Sequence, residues 1–329
     1  MAEMSKHQRV QAALSGDNVD RVPVSAWWHD FEREWSASEL AQTTLEAYRT
    51  YDWDFVKVNP RFCYYAEPWG ASYTRYSDRM PDPDKTAVKT ASDLAKIKPV
   101  DGAAGAFGEQ LESLRLIADG LDGEAPFIQT VFSPLAVMSR ITGPTEPVQA
   151  FIRDAPDELD AALEAITETL VAYSKACVET GASGIFYAGV EWGSSEFISG
   201  KDYDRFGQPY DERILAAVKD APFNVLHVCR NNNHLTRLLD YPVAAFHWDA
   251  RGEGNPSVSD ILSLIDGAVM GGVKHTRTMR RGTPADVGTE AEEALNETHR
   301  RRFLLAPNCS IDPKTPESNL FALVEAVLA

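Results

Sequence analysis

A histidine and two cysteines at the ends of two apolar runs are the residues of this sequence best suited to chemistry. His227 and Cys229 end the run 223–229, and Cys309 ends the run 303–309. In a strand, side chains two residues apart point to the same side, so His227 and Cys229 can bind one ion together. Imidazole and thiolate are zinc ligands, and a site with three protein ligands keeps a position open for a reactant. The sequence therefore predicts a catalytic zinc site formed by His227, Cys229 and Cys309.

The competing interpretation is that these cysteines are ordinary core residues, because free cysteine often behaves as a small buried hydrophobe. That interpretation is preferred for Cys177, which lies in a long helical pattern, and for Cys63, which follows the second predicted strand.

Four scattered cysteines do not form a disulfide framework, so a reducing compartment is expected. The N-terminus lacks the apolar segment of a secretory signal, and no apolar run approaches the roughly 20 residues of a membrane helix. We therefore expect a cytoplasmic protein without a membrane partner.

Composition narrows the range of partners further. The chain has 329 residues, with 32 Lys and Arg against 49 Asp and Glu, for a net charge of −17. Such a surface repels phosphate backbones and anionic membranes, so nucleic-acid binding is not expected. A small-molecule substrate and a docking protein with a basic surface are compatible with this charge.

Short apolar runs alternate with helical patterns along the whole chain. Eight runs are predicted as strands: residues 21–27, 54–59, 126–132, 184–189, 223–229, 244–249, 268–273 and 303–309. Helical patterns lie between them, among them residues 6–14, 39–50, 157–179, 202–218, 258–264, 285–301 and 316–328. Eight strands that alternate with helices predict an α/β fold, a (β/α)8 TIM barrel, in a single domain of residues 1–329. A doubly wound sheet is the alternative, and residues 62–105 are predicted as a long loop.

A barrel places catalytic groups at the C-terminal ends of its strands, which is where the predicted metal ligands lie. Three further residues there are candidate catalytic groups. His247 and Asp249 could orient substrate, support a zinc ligand or transfer protons, and Glu191 could be a displaceable fourth ligand. The candidate substrate-binding residues are Trp28, His29, Asn59 and Arg277, the last within a basic cluster of Lys274, His275, Arg277, Arg280 and Arg281. The alternative is that these side chains only pack or form a solvated rim.

Several segments resemble the uroporphyrinogen decarboxylase superfamily, whose fold is a (β/α)8 barrel. The similar segments are residues 9–24, Glu67-Pro-Trp-Gly-Ala71, Phe132-Ser-Pro-Leu135, Gly271-Gly272, Arg281-Gly-Thr-Pro284 and residues 309–320. They extend from near the N-terminus to the last predicted helix. The opening and closing segments are the most specific.

Within the superfamily, the sequence departs from the true decarboxylases. Those enzymes have an arginine-rich segment after the first strand and a Gly-His-Gly motif after the last. Here the first segment contains only Arg33, and the last strand ends in Pro307-Asn-Cys309. The chain is instead similar to the zinc-dependent, cobamide-linked methyltransferases, whose ligands are a His-x-Cys pair and a distant cysteine. The resemblance implies zinc bound by His227, Cys229 and Cys309.

The resemblance also implies that a corrinoid (cobalamin) takes part in the reaction. The chain has no Asp-x-His-x-x-Gly motif for binding cobalt, so the corrinoid is expected on a separate protein. The alternatives are a decarboxylase or a related metal-independent lyase, and a non-catalytic zinc-binding protein. Arg230-Asn-Asn-Asn-His234 replaces the glycine often found after the His-x-Cys pair, so the substrate is not carried over. The methyl donor and acceptor, the direction of transfer and the oligomeric state, with a homodimer among the options, stay open.

Overall fold

A parallel sheet forms the centre of the molecule. The computed structural model describes residues 3–328, and within that range it contains nine strands. They are β1 (Val56–Val58), β2 (Ser72–Thr74), β3 (Asp82–Lys85), β4 (Phe127–Phe132), β5 (Gly184–Val190), β6 (Val225–Val228), β7 (Ala245–Trp248), β8 (Ala268–Val273) and β9 (Phe303–Pro307). Seven of them form one sheet in the order β1, β4, β5, β6, β7, β8, β9, and every neighbouring pair is parallel. Strands β2 and β3 form a separate antiparallel hairpin.

Helices follow the sheet strands and cover the outer face of the sheet. They are α1 (Lys6–Ser15), α2 (Ala37–Tyr51), α3 (Ala91–Leu94), α4 (Gly105–Leu121), α5 (Pro134–Thr142), α6 (Glu146–Asp154), α7 (Pro156–Glu179), α8 (Gly200–Phe206), α9 (Gln208–Ala217), α10 (Val258–Leu262), α11 (Pro284–Glu297) and α12 (Glu317–Leu328). The sheet strands β1, β4, β6, β7, β8 and β9 are buried at every position, as expected for a parallel sheet covered on both faces. Among the helices of residues 3–328, none has the length and apolar character needed to span a bilayer.

Seven of the eight predicted strands are confirmed, with ends that shift by two residues or fewer. The predicted strand at 21–27 is wrong as a regular strand. Its contact with β9 is an isolated bridge between Val24 and Leu305, where the Leu305 N–H donates to the Pro23 carbonyl. Pro23 has no N–H with which to continue the ladder. The segment also accepts a hydrogen bond from the Asp54 N–H, so it lies between β9 and the chain that enters β1.

Two helix predictions change for local reasons. The pattern at 202–218 forms two helices, α8 and α9, which meet at Gly207 just before Pro209. The helix predicted at 285–301 ends at Glu297, because His299 and Arg300 adopt left-handed backbone conformations with φ of 51° and 56°. The predicted loop 62–105 contains the β2–β3 hairpin and α3. Of the predicted domain range, residues 1, 2 and 329 lie outside the described residues.

Candidate metal centre

The three predicted metal ligands meet at the C-terminal edge of the sheet. His227 lies in β6, Cys229 directly follows that strand, and Cys309 follows β9 by two residues. One donor atom from each lies within 4.8 Å of the other two. Within residues 3–328, this is the one group of three or more His, Cys, Asp or Glu side chains that could hold a metal ion. Parallel strands bring their carboxyl ends to one edge, so residues 80 positions apart can bind one ion. His227 is buried, and Cys229 and Cys309 are partly exposed.

The donor set fits zinc in its chemistry and in most of its spacing. In a tetrahedral site, bonds of about 2.3 Å to sulfur and about 2.0 Å to nitrogen place two sulfurs about 3.8 Å apart and a sulfur and a nitrogen about 3.6 Å apart. The Sγ atoms of Cys229 and Cys309 are 3.7 Å apart, and Cys309 Sγ lies 3.7 Å from His227 Nε2. The third pair, His227 Nε2 and Cys229 Sγ, is closer at 2.8 Å. These two groups must therefore separate slightly to hold the ion.

A second histidine behind the cluster orients the first. His247 in β7 is fully buried, its Nε2 lies 2.9 Å from the Pro307 carbonyl oxygen, and its Nδ1 lies 2.6 Å from His227 Nδ1. A carbonyl can only accept, so His247 Nε2–H donates to it and His247 Nδ1 accepts from His227 Nδ1–H. Burial, and next the facing His227 ring, hold the pKa of His247 well below its usual range, which keeps it neutral. The lone pair of His227 is therefore on Nε2, the nitrogen that faces the sulfurs.

The two sulfurs influence each other's ionisation. A hydrogen bond from Cys229 holds the pKa of the Cys309 thiol well below its usual range. The same contact raises the pKa of the Cys229 thiol, and burial adds to the effect. One thiolate is therefore stabilised in the pair even before a metal is considered. Metal binding requires both cysteines as thiolates, so it would release the remaining proton.

A cavity of about 490 Å³ opens over the sulfurs, large enough for a small organic substrate. Cys229 and Cys309 form part of its wall. The other lining residues are Arg140, Val190, Glu191, Glu196, Arg230, Asn231, Asp249, Lys274, His275, Thr276 and Asn308. The open side of the metal cluster therefore faces a space in which a ligand can approach both sulfurs.

The cavity wall carries ion pairs that fix two of the predicted catalytic carboxylates. Glu191 accepts from the Arg140 guanidinium at 3.0 Å. Asp249 accepts from the Lys274 ammonium and, at 2.9 Å, from the Asn308 side-chain amide. Neither carboxylate belongs to the group of donors that could hold the metal. Their observed partners make them positioning groups for the wall, and a catalytic role for either stays a prediction.

The backbone around the cavity is strained at two strand ends. Val190, the last residue of β5, has φ of +43°, which is a rare conformation for a β-branched residue. Arg230, which follows Cys229, has φ of +72°. On a third side, the chain after β8 makes a single π-helical turn, His275–Met279. Strained backbone and π-helical turns are concentrated at functional sites, and here they surround one cavity.

The four predicted substrate-binding residues do not line this cavity. Trp28 and Asn59 line a smaller space of about 40 Å³ between the 25–28 segment, α2 and β1. His29 Nδ1 pairs with Glu34 at 2.7 Å. Arg277 is exposed to solvent. Of the basic cluster after β8, Lys274 and His275 line the large cavity and the three arginines do not.

Two cations near the site were not predicted from the sequence. Arg140 comes from α5, and nothing in its helix marks it as part of a distant cavity. Lys57, in the middle of β1, is 6% exposed, with its amine against the rings of Phe186 and Trp27. Burial lowers the pKa of Lys57 to about 7, and the sulfurs of Cys309 and Cys229 oppose that shift. The sequence around it gave no signal, because the pattern Val-Lys-Val does not show whether the lysine faces solvent or the interior.

Comparisons with known proteins agree on the family. A family model described as uroporphyrinogen decarboxylase (URO-D) matches residues 5–329. The methylcobamide:CoM methyltransferase MtbA of Methanosarcina acetivorans is 25% identical over 99% of this chain and 98% of its own. A uroporphyrinogen decarboxylase of Drosophila virilis is 22% identical over 98% of this chain and 93% of its own. The solved structure of a methyltransferase from Methanosarcina mazei superposes with a TM-score of 0.81 at 22% identity, over 98% of both chains.

Proposed function

The chain belongs to the uroporphyrinogen decarboxylase family, and on that premise we propose that it is a zinc-dependent, corrinoid-linked methyltransferase. It would move a methyl group between a corrinoid on a separate protein and a small-molecule thiol. The observation that carries the proposal is the cluster of His227, Cys229 and Cys309 under an open cavity. The full-length similarity to a methylcobamide:CoM methyltransferase supports it.

The side chains of the site divide the work. Zinc bound by His227, Cys229 and Cys309 would supply Lewis acidity, which lowers the pKa of a thiol in the open position. His247 holds the His227 ring with its Nε2 lone pair toward the sulfurs. A thiol in the open position would lie within the cavity, and a docking protein would approach it from the open side of that cavity.

The transfer itself exchanges two bonds. The sulfur of the thiolate forms a bond to the methyl carbon, and the bond between that carbon and the partner's corrinoid breaks. The electron pair of the broken bond stays with the corrinoid, and the proton of the thiol leaves before the transfer. Demethylation of a methylated thiol would use the same groups in reverse.

The decarboxylase of the same family is the second candidate, and it is favoured by the description of the family model. It requires cations that hold the carboxylates of a porphyrinogen. Arg33, the arginine expected nearest that position, is already bound to Asp30, Thr43 and Glu46, and it does not line the cavity. The metal-independent reaction also leaves the thiol cluster without a role.

We also propose that residues 1–329 form one domain in which the 22–28 segment fills the eighth position of a (β/α)8 barrel. The hydrogen bonds of that segment to Leu305 on one side and Asp54 on the other support the proposal. A partner carrying the corrinoid would then dock at the C-terminal edge, over the cavity.

Methyl-transfer assays test the function directly. The purified protein, loaded with zinc, is mixed with a methylated corrinoid protein and a panel of thiols, and the loss of methylcorrinoid absorbance is followed. We expect zinc-dependent transfer to at least one thiol. A uroporphyrinogen substrate is the parallel arm, and decarboxylation there without zinc would support the second candidate. Absence of transfer to every thiol, from a protein that carries zinc, would refute the proposed reaction.

A further inference from the structure

Lys57 is a cation inside the sheet, on the same side as the metal cluster. It lies in β1 between Val56 and Val58, and all three residues are buried. Its amine lies 4.7 Å from the centre of the Phe186 ring and 5.5 Å from that of Trp27. The cation therefore lies against two aromatic rings in a largely buried position.

Few groups compensate the charge of Lys57. The Asn59 side-chain oxygen accepts from its amine at 2.5 Å. Among residues 3–328, no carboxylate forms an ion pair with it. A buried charge without a counter-ion costs several kcal/mol even after relaxation. Such a residue destabilises the fold and calls for a functional reason.

The rings around Lys57 also pack against the metal cluster. Phe186 stacks on His227, with ring centres 5.1 Å apart and an angle of 28° between the planes. Trp27 meets His247 edge-on at 5.3 Å. Among the charged groups around it, the sulfurs of Cys309 and Cys229 are the ones that raise the pKa of Lys57 against the effect of burial. Lys57 therefore has no carboxylate as a counter-ion, and the cysteine sulfurs of the candidate metal centre are the groups that can serve as one.

We propose that Lys57 is the counter-ion of the thiolate cluster and stabilises an anionic thiol in the open position. The inference rests on the proposed zinc and thiol chemistry. Two cysteine thiolates neutralise a zinc ion, so a bound thiolate adds one uncompensated negative charge to a buried site. The ammonium of Lys57 offsets that charge. Lys57 is a positioning residue, since it acts on the bound thiolate through space and not on the reacting atoms.

The test is Lys57→Met, which keeps the length and apolar character of the side chain and removes its charge. The protein is loaded with Co²⁺ in place of zinc, and thiol binding is followed by the sulfur-to-cobalt charge-transfer absorbance. We expect full metal content, a stability equal to or above the wild type, and thiol affinity weakened roughly 10- to 50-fold. Lys57→Arg keeps the charge and should retain most of the affinity. Lys175→Met, which removes an exposed charge on α7, is the matched control and should leave affinity unchanged.

Three outcomes would decide against the inference. Wild-type thiol affinity in Lys57→Met would overturn it. So would a variant that loses stability and metal together, since that pattern belongs to a purely structural lysine. A wild-type protein that takes up no metal would overturn it along with the proposed zinc site. A wild type that binds metal and thiol, with Lys57→Met weakened as expected, but that transfers no methyl group, would leave this inference intact and refute only the proposed reaction.

Discussion

The two ends of the parallel sheet differ in how completely their buried polar and charged groups are paired. At the N-terminal end, the Asp54 carboxylate accepts from Arg9 at 2.7 Å, from Arg21 at 2.5 Å and from the Val24 N–H at 2.9 Å. Arg9 extends the network to Asp20. Nearer the metal cluster, the amine of Lys57, from the middle of β1, has no carboxylate partner, and the buried Nδ1 of His275 has no hydrogen-bond partner among the described residues.

This difference in pairing separates groups that stabilise the fold from groups that are available to a ligand. Native proteins pair almost all buried polar atoms, so an unpaired one needs an explanation. In barrel enzymes, the N-terminal face of the strands contributes stability and the C-terminal face contributes chemistry. The closed network at Asp54 and the open cluster around Cys229 and Cys309 fit this division. Substitutions at the two ends should therefore have separable effects on stability and on metal-dependent activity.

The largest expected effect is at the functional end of the sheet, by which we mean the C-terminal edge with the metal cluster of His227, Cys229 and Cys309. Cys309→Ser should lower zinc content and reduce methyl transfer by at least about 10³-fold, because the ion loses one of its two thiolates and its Lewis acidity. Its unfolding free energy without metal should stay close to that of the metal-free wild type. Metal analysis, transfer assays and urea denaturation measure the three quantities. Cys177→Ala, at a buried cysteine in α7, is the control that should keep full zinc content. A Cys309→Ser protein with the zinc content of the wild type would show that Cys309 is not a metal ligand, and the contrast between the two ends would then be wrong.

The second effect is at the N-terminal end and concerns stability. Asp54→Ala leaves the guanidinium groups of Arg9 and Arg21 without their shared anion, so we expect a loss of about 3–5 kcal/mol of unfolding free energy. The folded fraction should still bind zinc in full. Asp52→Asn is the control two residues away, since Asp52 forms an exposed pair with Lys6 and should change stability by less than about 1 kcal/mol. Loss of zinc from folded Asp54→Ala would mean that the two ends are coupled.

How far the sequence predicted this arrangement depends on how local each signal was. The short apolar runs located seven strands, and the two-residue spacing placed His227 and Cys229 on one side of a strand. The parallel sheet then brought Cys309 to them. The isolated bridge at Val24 was not predicted, because the loss of ladder at Pro23 depends on the neighbouring strand. Lys57 was missed because a lysine between two valines looks the same whether it faces solvent or the interior. Arg140 was missed because its cavity is formed by strands that are distant in sequence.

The third effect tests whether His247 supports metal binding or only stabilises the fold. His247→Phe keeps a ring in the buried position and removes the acceptor for His227 Nδ1–H. We expect zinc affinity to fall by about 10- to 100-fold, which is typical when a partner behind a metal ligand is lost. Competition with a chromophoric chelator measures the affinity. His247→Gln can restore an acceptor and should recover part of the loss. Unchanged affinity in both variants would assign His247 to packing alone.

The smallest expected effect tests whether substrate binding extends beyond the cavity to exposed residues. Arg277 follows β8 in the same π-helical turn as His275, but its side chain is exposed and lies outside the cavity wall. An exposed substitution away from a site typically changes a free energy by no more than about 0.5 kcal/mol, so Arg277→Ala should change the KM for the thiol by about twofold or less. Lys274→Ala, at a cavity residue three positions earlier, should raise KM more, because it also frees the Asp249 carboxylate. If Arg277→Ala instead raised KM about as much as Lys274→Ala, the exposed turn would bind substrate. The functional end would then extend beyond the cavity to the solvent-facing rim.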